Sequence, residues 1–224
     1  SLISKNSYAI KIAAVTDSFI NSHPDFCSHF LDFNDRNLAD YLYKAEDLAT
    51  LHGRHYEKKR NLVAQANRLY NWNIEELNVT HHPYCPLILE NIGQELQSER
   101  PKDLENERQI LHESLSHFDK LNFKGCIIII DNQPVAFSIY TELNKKTVDI
   151  YFEKAVRKFK GLSQLINQES AKIIFQAGYE FINREEDLGL DGLRQAKLSY
   201  HPFQLINYHV LTWDVYKHTS HLTE

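Results

Sequence analysis

Between Tyr179 and Pro202 the chain concentrates the side chains best suited to chemistry. Arg184, Glu185 and Asp187 come first, at the end of an apolar run; Arg194, Lys197, Tyr200 and His201 follow. The carboxylates could accept a proton or hold an amine. The guanidinium and ammonium groups could hold a phosphate or a carboxylate. A tyrosine can release a proton, and a histidine titrates near neutrality. A plainer account fits the same residues. Asp187 would cap the next helix, the charges would form surface ion pairs worth roughly 0–1 kcal/mol, and Tyr200 would be packed with its hydroxyl satisfied. A strand end that feeds a polar turn is where α/β proteins tend to place a ligand site.

The elements around this run follow from its patterning. Residues 179–183 alternate as a strand, and residues 188–198 read as a short helix that Pro202 ends. Arg194 and Lys197, three residues apart, share one face of it. Upstream, Lys158-Phe-Lys160-Gly161-Leu-Ser163 opens a helix whose apolar face runs through Leu162, Leu165, Ile166, Ile173 and Ile174. Residues 126–130 and 135–140 are apolar and flank Asp131-Asn132-Gln133-Pro134, which predicts a hairpin. Residues 147–155 alternate as a third strand. Residues 86–96 and 108–118 read as two helices, and residues 72–77 as a short strand. Residues 56–70 form an amphipathic helix, preceded by a strand at residues 41–44. Before residue 40 the pattern is weak, with one strand candidate at residues 8–15. Residues 203–213 make a last strand. The mixed order around a hairpin argues for an α+β fold and against a doubly wound parallel sheet.

Composition bounds the partners. The 224 residues allow one large domain or two small ones, and 42% hydrophobic content is ordinary for a folded soluble chain. At net charge -5 the molecule as a whole is no polyanion binder, so any nucleic-acid contact needs a local basic patch. The segment from His52 to Tyr70 supplies one. Arg54, Lys58, Lys59, Arg60 and Arg68 oppose only Glu57, about +4 by counting. A tRNA backbone or an anionic headgroup would suit it, as would plain solvation of a helix face. Three scattered cysteines give no disulfide framework, and no signal peptide or membrane-length apolar run is present, so a cytoplasmic location is expected. His81-His82-Pro83-Tyr84-Cys85 lacks a second cluster with ligand spacing, so no metal is expected. The chain has no methionine and opens Ser1-Leu-Ile-Ser; a fragment, a processed chain or a sequence stripped of its methionines would each read this way.

Two segments carry a family resemblance. Gly53-Arg-His-Tyr56-Glu-Lys58-Lys-Arg-Asn61 is one. The other runs Ile182-Asn-Arg-Glu185-Glu-Asp187-Leu-Gly189 to Ala196-Lys-Leu-Ser-Tyr200-His-Pro202. Over roughly residues 38–205 the chain resembles the phosphatidylglycerol lysyltransferase C-terminal-like family. The resemblance implies a GNAT-like acyltransferase fold with a mixed sheet and flanking helices, of tandem type. Residues 1–52 would be the end of an incomplete first unit and residues 53–224 the complete one. It also implies transfer of an aminoacyl or acyl group from charged tRNA or acyl-coenzyme A to an amine or hydroxyl. The acceptor would be a small molecule or a lipid headgroup, and no cofactor would be permanently bound. Glu185, Asp187 and Tyr200 would then handle protons. Lys158, Lys160, Gly161, Ser163, Arg184, Arg194 and Lys197 would hold the donor, and Arg54, Lys58, Lys59 and Arg60 the nucleic acid or another anion. The coenzyme A loop of such folds has Gln or Arg, two residues, Gly, one residue, then Gly or Ala; here Lys158 and Ser163 occupy the outer positions. Residues 147–155 would be the splayed strand that offers a backbone N–H to the donor carbonyl. A second reading is a catalytically silent module of the same fold that binds RNA or an anionic surface through its basic helix.

Overall fold

Asp131 and Asn132 both take the left-handed backbone conformation, with φ of 50° and 62°. That is the geometry a tight turn between twisted strands requires. They join β5 (Lys124–Ile130) to β6 (Gln133–Asn144), the predicted hairpin, at the centre of the main sheet. The computed structural model describes residues 10–95 and 101–213. These residues divide into two units. The larger holds residues 42–185 and 200–203; the smaller holds residues 10–41, 186–199 and 204–213. Neither is a single run of sequence.

In the larger unit the strands lie in the order β4 (Trp72–Glu76), β5, β6, β7 (Thr147–Ala155), β8 (Phe181–Asn183) and β3 (Asp40–Lys44), the last pairing through Leu42, Tyr43 and Lys44. Every pair is antiparallel except β7 with β8, which makes the sheet mixed. Helices cover both faces, so the Ile127–Ile130 run has no solvent side to alternate toward. On one face Ile127, Phe137, Ile139 and Phe152 pack with Cys85, Ile88 and Leu89 of α5 (Tyr84–Glu95) and Leu111 and Leu115 of α6 (Pro101–Ser116). On the other face lies α7 (Leu162–Gln176), with α3 (Ala45–Thr50) and α4 (Glu57–Leu69) against it. Leu165, Ile166 and Ile174 of α7 are buried there.

Helix α6 begins at Pro101, seven residues before the sequence pattern suggests. Proline at a first helical position loses no hydrogen bond, so it can start this helix.

The smaller unit is built on a three-stranded antiparallel sheet in the order β1 (Lys11–Thr16), β10 (Tyr208–Trp213), β2 (Phe30–Asn34). Val15, Phe30 and Leu211 form its core, with Trp213 set edge-on to Phe30. It also contains α1 (Asp17–Ser22), α2 (Pro24–Cys27) and α8 (Asp191–Leu198). The single last strand expected at residues 203–213 is two, β9 (Gln204–Ile206) and β10, interrupted at Asn207. Helix α8 starts at Asp191 rather than 188, because Leu188 is left-handed at φ 52°.

The feature that positions a site is the short parallel pairing of β7 and β8. It covers only Thr147↔Phe181, Val148↔Ile182 and Asp149↔Asn183. Strand β7 runs on to Ala155 after β8 has stopped, so a gap opens on that side. The register of β7 against β6 also slips there, leaving Tyr151 as the bulged residue between Ile150 and Phe152. A bulge bends its strand and re-aims its side chains.

Gly161 fixes how α7 meets α4. Its φ is 82°, and a Cβ there would lie 2.1 Å from the carbonyl oxygen of Leu62. Gly161→Ala should therefore lower the melting temperature sharply, by the roughly 1–2 kcal/mol of the backbone conformation plus the clash. Gly178→Ala, at φ 92° with open space around it, should show the backbone cost alone. Equal melting temperatures for the two variants would refute a packing role for Gly161.

Candidate functional site

Arg184 leaves the end of β8 and reaches across the gap to Glu153 of β7, with Nη2 2.8 Å from Oε1. Asn167 of α7 donates to the other Glu153 oxygen at 3.1 Å. The Arg184 guanidinium lies 5.3 Å from the centre of the Tyr200 ring and 5.8 Å from that of Tyr43. The Lys59 ammonium, from α4, sits 4.0 Å over the same Tyr200 ring. Tyr56 donates its hydroxyl proton to the Tyr200 carbonyl at 2.9 Å, and Gln164 hydrogen-bonds the Tyr200 side chain. Burial raises the Tyr200 phenol above its ordinary range, against the opposing pull of Arg184. Burial, aided by the charge of Arg184, lowers the Lys59 ammonium. Burial works against the charge on Arg184 itself, and Glu153, Tyr43 and Tyr200 together outweigh it, so its pKa is raised.

Glu185 follows on the rim of this gap. It is half-buried and left-handed at φ 54°, held there by its N–H donating to Asn183 Oδ1 at 3.1 Å. Its field reaches the bulged Tyr151 on β7, whose phenol is raised first by burial, then by Asp149 and Glu185. The gap thus has a carboxylate and a phenol at its rim and an ion pair with a buried phenol deeper in.

The smaller unit holds a different arrangement. Asp187 is fully buried, and Arg194 grips it with two contacts of 2.8 Å, from Nε to Oδ2 and from Nη2 to Oδ1. Tyr41 donates to Oδ2 at 2.5 Å and the Gly189 N–H to Oδ1 at 2.9 Å, while Arg36 lies 3.5 Å away. The Arg194 hydrogen bonds, first of all, hold this carboxyl well below the usual carboxylate range, against the effect of burial. Lys197 donates to the Glu186 carbonyl, and its ammonium lies 5.5 Å over the Tyr41 ring. Asp187 does not cap α8, whose N-cap is Leu190, and its carboxylate is buried beneath a partly exposed Arg194.

A family model described as phosphatidylglycerol lysyltransferase, C-terminal, matches residues 16–210. The chain belongs to this family. No curated protein matches the sequence. Among solved structures it is similar to a conserved protein of unknown function from Bacteroides thetaiotaomicron, at 29% identity over 94% of this chain and 72% of that one, with a TM-score of 0.87. It also resembles L-PGS from Bacillus licheniformis (12% identity, 99% and 73% coverage, TM-score 0.69) and FemX (9% identity, 99% and 75%, TM-score 0.66). At such identities the likeness is one of fold, and the fold is GNAT-like α+β. Family and fold together support an acyltransferase of the lysylphosphatidylglycerol synthetase-like or GNAT type.

In this phosphatidylglycerol lysyltransferase C-terminal fold the predicted site residues separate into groups. Arg184, Glu185 and Tyr200 belong to the larger unit; Asp187, Arg194 and Lys197 belong to the smaller. The loop before α7 leaves Lys158, Lys160 and Ser163 exposed and Gly161 buried. Its backbone N–H groups already have protein partners: Arg157 and Lys158 donate to the Glu95 carboxylate at 2.7 and 3.0 Å, and Lys160 donates to the Tyr70 hydroxyl at 2.9 Å. Of the basic helix, Arg54 and Lys58 are exposed, Lys59 turns in toward Tyr200, and Arg60 donates to the carbonyls of Leu51 and Gly53 at the end of α3. His201 packs against His55 and Tyr56. His81 contacts Glu75, and burial pushes the Cys85 thiol up to about 12. No group of three or more His, Cys, Asp or Glu among the described residues is placed to hold a metal. Sequence reasoning missed Glu153, Asn167, Gln164 and Tyr43. The visible signal for the first two was a carboxylate and an amide inside segments otherwise read as sheet and apolar helix face.

Asp187→Asn should lower the melting temperature, because it removes the buried carboxylate that Arg194, Tyr41 and the Gly189 N–H hold in place. The wild-type carboxyl is lowered on folding, so its stabilisation is complete above about pH 4, the unfolded value, and is lost as pH falls further. Acid unfolding curves should therefore be flatter in that range for Asp187→Asn than for the wild type. Parallel curves would show that Asp187 is not the group responsible.

Proposed function

We propose that this chain transfers an aminoacyl or acyl group, from charged tRNA or acyl-coenzyme A, to an amine or hydroxyl acceptor. The observation that carries the reading is the parting of β7 from β8 beyond Asp149, with polar and ionic side chains collected where they part. A gap between splayed strands gives the carbonyl of a donor a route to a bulged backbone, here at Tyr151. Among the carboxylates, Glu185 has the position for a base, half-exposed on the rim. Asp187 has not, because Arg194, Tyr41 and Gly189 already saturate it. Tyr200, protonated through neutral pH, is the proton donor or the positioning group. Lys59 and Arg184 place positive charge beside it, where an oxyanion would be stabilised.

The donor reading leans toward one whose anchor is not a phosphate in the loop before α7. Glu95 and Tyr70 fill that loop, and the Leu62 carbonyl lies where any Cβ on Gly161 would point. Exposed Arg54 and Lys58 offer a tRNA backbone two cations on α4 and the turn before it. The acceptor is a small molecule or a lipid headgroup. Among the described residues no helix is long and apolar enough to cross a membrane.

Incubation of the purified chain with charged tRNA and, separately, with acyl-coenzyme A, over a panel of amine and hydroxyl acceptors, tests this. Consumption of one donor is expected, falling about 10²- to 10⁴-fold in Glu185→Gln with folding intact. A chain that consumes neither donor, or whose turnover is indifferent to Glu185→Gln, is not the enzyme described.

A further inference from the structure

At the end of the sheet away from the β7–β8 gap, the larger unit has a second cleft. It lies between the sheet and the last turn of α7 and encloses about 380 Å³, within the range of small-molecule sites. Ile74, Ile173 and Ala177 give it an apolar floor. An adjoining depression of about 570 Å³ shares Lys124, Tyr140 and Tyr179 with it.

Three polar groups at this cleft make no hydrogen bond or ion pair through their side chains with any described residue. They are the Glu76 carboxylate, the Lys124 ammonium and the Tyr140 hydroxyl. Tyr140 is 6% exposed and lines both the cleft and the adjoining depression, so its phenol is a nearly buried polar group at the cleft wall. Burial raises it first, and Cys126, Glu76 and Tyr179 raise it further, which places Glu76 and Tyr179 close by. Tyr179 is itself fixed, donating to Glu142 at 2.7 Å, so the wall beyond the phenol is built. Strand register puts Lys124 directly across from Tyr140, and Glu76 across from Cys126 two residues along. A cation, a carboxylate and a phenol therefore border one apolar floor.

We propose that this cleft binds a small zwitterion, a molecule carrying an ammonium and a carboxylate on an apolar body, of the free α-amino acid class. Glu76 takes the ammonium, Lys124 takes the carboxylate, the Tyr140 hydroxyl bonds one of the two, and the apolar side chain lies on Ile74, Ile173 and Ala177. The site stands apart from the acyl-transfer proposal and does not depend on it.

Calorimetry with L-leucine as the probe tests the assignment. Leucine should bind in the millimolar range or better, and about tenfold more tightly than leucinamide, which lacks the carboxylate, or 4-methylvalerate, which lacks the ammonium. Tyr140→Phe removes only the hydroxyl and should weaken leucine about 5- to 10-fold. Glu76→Gln should erase the preference over 4-methylvalerate, and Lys124→Gln the preference over leucinamide. Ala177→Trp should abolish binding while the melting temperature shows a folded chain. The assignment is overturned if leucine does not bind the wild type at millimolar concentration, if it binds no better than both analogues, or if Tyr140→Phe and Ala177→Trp leave binding unchanged.

Discussion

The ion pair between Arg184 and Glu153 holds the larger unit at the place where its sheet comes apart. Taking two charges out of water costs several kcal/mol per ion, and one contact of 2.8 Å does not by itself offset that. The surroundings supply the rest. Asn167 fills a second lone pair of Glu153, and the rings of Tyr43 and Tyr200 face the guanidinium. A desolvated cation over an aromatic ring contributes on the order of 0.5–2 kcal/mol. The pair therefore works only as part of a cluster drawn from β7, α7, β3, the end of β8 and the segment at Tyr200. Those elements are far apart in sequence, and the cluster fixes both walls of the gap at once.

That rigidity accounts for the backbone around it. Glu185 and His201 are both left-handed without being glycine, each next to a member of the cluster. Such residues cost about 1–2 kcal/mol and persist where neighbouring contacts over-determine them. The contacts are on hand: Asn183 takes the N–H of Glu185, and Tyr56 takes the carbonyl of Tyr200 just before His201. The two segments that carry the family resemblance thus meet physically. Tyr56 and Lys59 come from the first, and Arg184 and Tyr200 from the second. Spacing along a sequence cannot show that meeting, because 141 residues or more separate the partners in either contact with Tyr200.

Much of the fold is legible because its elements have strong local signatures. The hairpin has Asp131-Asn132, α7 has its apolar stripe, and β3 and β4 have their alternation. The site is less so, and β7 shows why. Alternation along residues 147–155 sets Asp149, Tyr151 and Glu153 against Val148, Ile150 and Phe152, and the polar set reads as a solvent face. In the fold helices cover both faces, so Asp149 is buried and Glu153 points at α7 rather than at water. The basic helix misleads in the same way. Counting gives one positive face, whereas Lys59 and Arg60 turn inward, one onto Tyr200 and one onto the carbonyls at the end of α3. Residues 10–40 hide for another reason. The strand candidate at residues 8–15 is met by β1, but among the described residues β1 and β2 pair with β10, nearly the whole chain away, so little local signal announces β2.

In the proposed chemistry, burial divides the labour among the three groups first singled out for proton transfer. A carboxylate that must take a proton needs water or an acceptor within reach, and a pKa not pinned by a cation. Asp187 fails on both counts, because its lowered pKa is the mark of the Arg194 clamp. Glu185 is half-buried at the rim of the gap. A phenol that must give a proton at neutral pH has to hold it until the reaction, and burial holds it on Tyr200. Lys59 and Arg184 stand against the same ring, and in the proposed chemistry they would stabilise negative charge as it forms. Low dielectric raises the cost of the anion before reaction, and fixed cations lower it during reaction. In the proposed chemistry, then, the ion pair that ties β7 to the end of β8 across the gap also sets the electrostatics of the space beside it.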